Sequence, residues 1–185
     1  MEENKKKKIS TKDMVQIAMF TAVVAVLSQI AIPMRSGVPV TLQTLAVALC
    51  GYVLGSKKGA VSLLVYALLG AVGAPVFANF KGGLGAIAGP TGGFIWGFIF
   101  MAFLCGLGIE SKHKWLAVVL GIAGVLVCHA CGAAQFAIIK GNGFWSSALL
   151  VSVPYLVKDF VSVIIALGAA ALIRSRIKVT AAANQ

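Results

Sequence analysis

Six apolar runs, each near the length of a bilayer crossing, follow one another with only short polar gaps between them, and the gaps hold most of the charge. The runs are 14–32, 38–54, 60–78, 84–109, 115–139 and 148–173. A helix needs about 20 mostly apolar residues to cross the hydrocarbon core. No soluble fold of 185 residues covers so much apolar surface, because 59% of the chain is hydrophobic and 11% is charged, against about 25% charged in an ordinary soluble domain. The reading is an all-α membrane protein of six transmembrane helices, with antiparallel neighbours joined by short turns. That pattern excludes a disordered chain, a nucleic-acid-binding protein and most water-soluble enzymes.

The net charge of +11 gives the orientation. With six spans both termini share one side. That side collects Lys5, Lys6, Lys7, Lys8, Lys12, Lys57, Lys58, Lys112, Lys114, Arg174, Arg176 and Lys178, whereas the other holds Arg35, Lys81 and Lys140. Lys158 stands at the start of the last span. Lys and Arg accumulate on the cytoplasmic side of membranes, so the N- and C-termini are expected in the cytoplasm. The division that follows is a basic cytoplasmic tail over 1–13, a membrane domain over 14–174 and a cytoplasmic C-terminal tail over 175–185. The first span lacks a cleavage pattern leading into a polar mature domain and reads as a retained helix.

Several chemistries find no support. There is no G-x-x-x-x-G-K-[ST] phosphate loop, and Gly55-Ser56-Lys57-Lys58-Gly59 reads as a charged turn. Of five acidic residues only Asp159 lies within or beside the membrane. One carboxylate argues against a self-powered pump, which spends several intramembrane acids or broken-helix carbonyl sites. Cys50, Cys105, Cys128 and Cys131 all fall inside apolar spans, so no disulfide framework is expected. Cys128-His129-Ala130-Cys131 has metal-like spacing but no evident fourth ligand, and it reads as helix packing. An intramembrane enzyme would need partners facing one cavity. His129 is expected at mid-membrane or the inner leaflet, and Asp159 toward the outer side of another helix. Hence no metal, cofactor or catalytic residue is assigned.

Asp159 is the first binding candidate. An aspartate in a lipid-embedded helix costs about 2.5–3.5 kcal/mol on insertion scales, and a ligand contact would offset that. Pairing with Lys158 is expected to be poor, since adjacent helical residues point about 100° apart. Asn79 follows, beside Lys81 and paired glycines at the outer end of the third span, as a loop or as the wall of a polar pocket. Thr41, Gln43 and Thr44 place a polar stripe at the same end of the second span. In the fourth span G-P-T-G-G (89–93) should bend or break the helix at Pro90, leaving carbonyls that must face protein or water. On the first helix Ala18 and Ala22, four apart, make a flat stripe where another helix can approach.

Four segments in register carry a resemblance: V-P-V-T-L-Q-T-L-A-V (38–47), Y-x-L-L-G-A-V-G-A-P-V-F (66–77), G-P-T-G-G-F-I-W-G (89–97) and P-Y-L-V-K-D (154–159). Together they closely resemble the BioY family, the biotin-binding S components of energy-coupling factor (ECF) vitamin transporters, over about 14–174. The resemblance implies a six-helix bundle in the bacterial plasma membrane that binds biotin from outside. It also implies docking, through Ala18-x-x-x-Ala22, onto a transmembrane coupling subunit carrying two ATPase subunits. Asp159 would accept from the ureido N–H groups, Asn79 and Gln43 would serve the remaining ureido atoms, and Phe77 and Tyr155 would shape the apolar slot. Members often read Asp-x-x-Lys in the last helix, but residue 162 here is Ser. Lys158, Lys81 and Arg35 are the alternatives for the biotin carboxylate. Two other functions fit the same features, a stand-alone biotin permease and an S component for a different vitamin.

Overall fold

The computed structural model describes residues 10–34 and 37–183, with side chains to residue 176. Arg35 and most of the expected basic tail lie outside the described residues. In chain order the elements are α1 (Thr11–Ser28), β1 (Ala31–Ile32), β2 (Val40–Thr41), α2 (Gln43–Leu54), α3 (Ser56–Ala71), a 3-10 turn (Ala78–Phe80), α4 (Leu84–Ala88), α5 (Gly92–Glu110), α6 (Trp115–Lys140), α7 (Phe144–Val151) and α8 (Val153–Ala183). Among the described residues four helices are long and apolar enough to cross a membrane: α1, α5, α6 and α8 over Val153–Arg176.

The shortness of α2 has a packing reason. It is the central helix, lying against α1, α3, α5 and α8, and its buried residues run from Gln43 through Tyr52 to Leu54. A helix that is apolar all round suits such a position. The expected span began earlier, at 38. Residues 40–41 instead pair with 31–32 in a small antiparallel ladder, Ala31 opposite Thr41 and Ile32 opposite Val40.

Three other expected spans are also revised. The third ends at Ala71, and the chain then folds through an irregular segment to the 3-10 turn. The fourth is broken into α4 and α5, as Pro90 requires. Two of the carbonyls freed at the break are met by protein. Gln135 Nε2, from α6, donates to Ile87 O at 2.7 Å and to Gly89 O at 2.8 Å. Gln135→Leu should therefore leave two carbonyls without that donor, each costing roughly 1–3 kcal/mol. The expected result is a thermal midpoint in detergent lower by about 4–24 °C, read by a melting curve. The sixth run is interrupted at Ser152, where Pro154 opens α8 and has no N–H to continue α7 into it. At its far end α8 continues through Ala183, into the segment expected as a tail.

Close approach of α5 and α6 explains part of the glycine content. A Cβ on Gly97 would stand 2.7 Å from Cys128 Cα, too near to be tolerated without moving a backbone.

Polar contacts gather the helix ends into two sets. At one end Lys58 Nζ binds Asp13 Oδ1 at 3.0 Å and Gln16 Oε1 at 3.0 Å, tying α3 to α1. Glu110 at the end of α5 accepts from Ser56 N at 2.9 Å and Ser56 Oγ at 2.7 Å. Gly55–Gly59 is thus not a turn throughout: Gly55, at φ 85°, is the joint, and Ser56 begins α3 with a carboxylate on its exposed donors. Arg174 Nη1 donates to Tyr52 O at 2.9 Å, which brings α8 to the same end. The opposite end holds the β-ladder, the segment from Val72 to Thr91 and the cavity described next.

Candidate functional site

A cavity of about 90 Å³ lies between α2, α5, α6 and α8, several times the space a single water needs. Its apolar lining includes Phe94, Ile95, Phe98 and Met101 of α5 with Val125 of α6 and Val151 of α7. Its polar lining comes from α2, α6, α8 and the 77–81 segment and includes every binding residue expected from the sequence that falls among the described residues.

The 77–81 segment is shaped by the Y-x-L-L-G motif that precedes it. Tyr66 and Gly70 lie one turn apart on α3. The Phe77 ring occupies the space a Cβ on Gly70 would take and packs edge-on against Tyr66 with centroids 5.3 Å apart. Phe77 is buried, and its N–H donates to Lys81 O at 3.0 Å. Between them Asn79 (φ 58°) and Phe80 (φ 56°) take left-handed backbone. Asn tolerates this conformation and Phe does not favour it. Gln29, at the C-cap of α1, holds the strained pair, its Oε1 accepting from Phe80 N at 2.9 Å. The result places Asn79 and Lys81 on the cavity.

At the head of α2, Thr41 Oγ1 donates to Gln43 Oε1 at 3.1 Å, and Gln43 Nε2 donates to Tyr66 OH at 2.8 Å. Ser28 Oγ gives its proton to Val24 O at 2.7 Å and so accepts from Tyr66 OH at 2.9 Å. This fixes a directed chain from Gln43 through Tyr66 and Ser28 to a backbone carbonyl. The Gln43 amide keeps its second N–H for other use.

Asp159 stands at the centre of the polar wall, and here two expectations are corrected. Lys158 does pair with it, through Nζ and Oδ1. The 100° separation fixes only where the Cβ atoms point. The four-carbon lysine stem turns back, and Thr41 O on a different element accepts from Nζ at 2.9 Å and holds it there. The second correction concerns His129. Rather than lying at another depth, its Nε2 sits 2.9 Å from Asp159 Oδ2, with both side chains buried. Tyr155, one turn earlier on α8, donates its O–H to Val38 O at 2.7 Å and anchors the strand leading into α2. Thr44, part of the expected polar stripe, lines the cavity, and so does His129, which was not a binding candidate. A histidine inside a long apolar run, 30 residues from the lone acid, was the available signal.

The arrangement offers an apolar slot ending in a carboxylate acceptor, amide donors and two ammonium groups. Among the described residues no three His, Cys, Asp or Glu side chains converge as a metal site; Cys128 instead gives a weak bond to Phe94 O at 3.7 Å. Away from the cavity, Ala18 and Ala22 lie exposed on α1, on the side turned from Ile17, Phe20, Thr21 and Val24.

A chain from Thermotoga maritima named biotin transporter BioY is 44% identical over 65% of this chain and 72% of its own length. A probable biotin transporter BioY from Pyrococcus horikoshii is 38% identical over 83% and 90% respectively, and a biotin transporter BioY from Rhodobacter capsulatus is 36% identical over 80% and 86%. The fold matches the crystal structure of the S-component for biotin from an ECF-type ABC transporter with a TM-score of 0.79 and 24% identity, over 95% of both chains. The model of the BioY family matches residues 3–179, and the chain belongs to that family.

Proposed function

We propose that the protein is a biotin-binding integral-membrane subunit that captures biotin from outside the cell and delivers it inward with an ATP-driven ECF module. The observation that carries this reading is the cavity's mixed lining: apolar side chains together with a polar cluster built on the single intramembrane acid. Biotin has the matching mixture, with a ureido head, an apolar ring and chain, and a terminal carboxylate. Family membership and the names of the relatives support it.

In this reading Asp159 accepts from a ureido N–H, and Gln43 and Asn79 donate to the ureido carbonyl. Phe77 and Tyr155 hold the walls of the slot. Lys158 already serves Asp159 and Thr41 O, whereas Lys81 has no ion pair among the described residues and lies exposed at the mouth. Lys81 is therefore assigned to the biotin carboxylate. The membrane domain spans 14–174 with six crossings. Both tails, 1–13 and 175–185, are cytoplasmic, as the excess of Lys and Arg at that end favours. Ala18 and Ala22 form the docking stripe for the coupling subunit, whose two ATPases supply the hydrolysis that this chain has no phosphate loop to perform.

Titration calorimetry of the purified protein with biotin and with biotin methyl ester tests the assignment. Biotin is expected to bind the wild type about tenfold more tightly than the ester, the effect of one charge-assisted contact. In Lys81→Met the two ligands should bind alike. Absence of biotin binding would remove the function, and an ester penalty that survives in Lys81→Met would move the contact to another cation.

A further inference from the structure

His129 has a nitrogen that the protein does not use. Its Nε2 faces Asp159 Oδ2 at 2.9 Å, while Nδ1 is buried and has no hydrogen-bond partner among the described residues. Buried polar atoms are nearly always paired, so each exception asks for a reason.

The protonation of the ring follows from its neighbours. The Asp159 carboxylate only accepts, so the nitrogen facing it must carry a proton. Lys158 already supplies one positive charge to that carboxylate. A second cation in the same buried cluster would be uncompensated and costly. A neutral ring with its proton on Nε2 leaves Nδ1 as a bare acceptor. The ring is also held in place, packed edge-on against Phe94 with centroids 5.7 Å apart. Phe94, His129 and Asp159 all line the one cavity.

We infer that His129 Nδ1 is a second ligand acceptor, taking one N–H of the bound ureido group while Asp159 takes the other. The inference rests on the biotin reading of the cavity and deepens it. It answers a count that Asp159 alone leaves awkward. Oδ2 already faces the His129 ring N–H, and Oδ1, buried without a hydrogen bond of its own, is ion-paired with Lys158. A cyclic urea brings two N–H donors on opposite sides of its carbonyl. Two separate acceptors suit that geometry better than one partly committed carboxylate.

Two amide substitutions separate this role from simple support of Asp159. The amide of Asn falls near the place of Nδ1, and that of Gln near the place of Nε2. His129→Asn keeps the ligand acceptor and gives up the Asp159 contact, whereas His129→Gln does the reverse. Calorimetry with biotin should show His129→Asn within about threefold of wild type and His129→Gln weakened about tenfold or more, the effect of stranding one buried donor. The opposite order, equal loss in both or no loss in either overturns the inference.

A second measurement needs no variant. The chain has only two histidines, so ring-¹⁵N labelling gives signals from His129 and from the exposed His113. Adding biotin to the wild-type protein should move the unprotonated Nδ1 resonance of His129 upfield and leave His113 in place. An unmoved Nδ1 signal in a chain that binds biotin removes this inference alone. A wild-type chain that does not bind biotin removes the function and the inference together.

Discussion

Asp159→Asn is expected to weaken biotin binding between about tenfold and 150-fold, measured by calorimetry on the folded protein. A hydrogen bond to a charged acceptor in a water-poor site is worth roughly 1.5–3 kcal/mol, which is about 10- to 150-fold in affinity. Asparagine keeps the shape of the side chain but loses the charge. It also turns an NH₂ toward one of the positions where Lys158 and His129 now donate. The substitution therefore replaces a charged acceptor with a neutral one and disturbs the two groups that hold it. Ser162→Ala is the control. That hydroxyl is buried one turn further along α8 and bonds back to Lys158 O at 2.9 Å, a local contact outside the cavity wall. Affinity there should stay within about twofold of wild type, since such a bond contributes only about 0.5–1.5 kcal/mol to stability. An unchanged affinity in Asp159→Asn would sink the biotin site as drawn here.

Asp159 was legible in the sequence because burial of a lone acid in lipid is expensive, whatever the fold. The break at Pro90 was legible for an equally local reason, a missing backbone donor. What repairs the break was not. Gln135 stands within an apolar helix, and its partners Ile87 and Gly89 lie more than 40 residues away. A buried amide in such a run signals that some backbone needs it, but not which. The ion pair of Lys158 with Asp159 and the contact of His129 with Asp159 were misjudged for the same cause. Helical periodicity gives the direction of a Cβ, not the reach of a lysine stem held by Thr41 O, nor the relative level of α6 and α8. Phe77 shows the opposite case. Its seat against Gly70 and Tyr66 is recorded in one contiguous motif, because α3 reverses into the 77–81 segment within a few residues and so keeps the partners close along the chain.

A double substitution, Ala18→Trp with Ala22→Trp, is expected to leave biotin affinity within about twofold of wild type while ATP-driven uptake with the ECF module falls to background. The two alanines are exposed on α1, and neither lines the cavity. The inward face of the same helix is made by Ile17, Phe20, Thr21, Val24 and Ser28, with Thr21 Oγ1 donating to Ser62 O at 3.0 Å to fasten it to α3. Tryptophans on the other face meet lipid in the isolated subunit and have no reason to disturb the bundle. They matter only when a second helix must approach. Small residues four apart let two helix backbones come close in a membrane, where packing rather than hydrophobicity drives association. Two indoles on that strip hold the partner away and forfeit many small dispersion contacts at once. Uptake measured in proteoliposomes containing the coupling subunit and both ATPases reads the loss, and calorimetry on the isolated variant reads the retained affinity. Normal uptake in this variant would place the docking surface on another face of the bundle. A parallel loss of biotin binding would show instead that α1 supports the cavity, through Gln29 and the strained turn at Asn79 and Phe80.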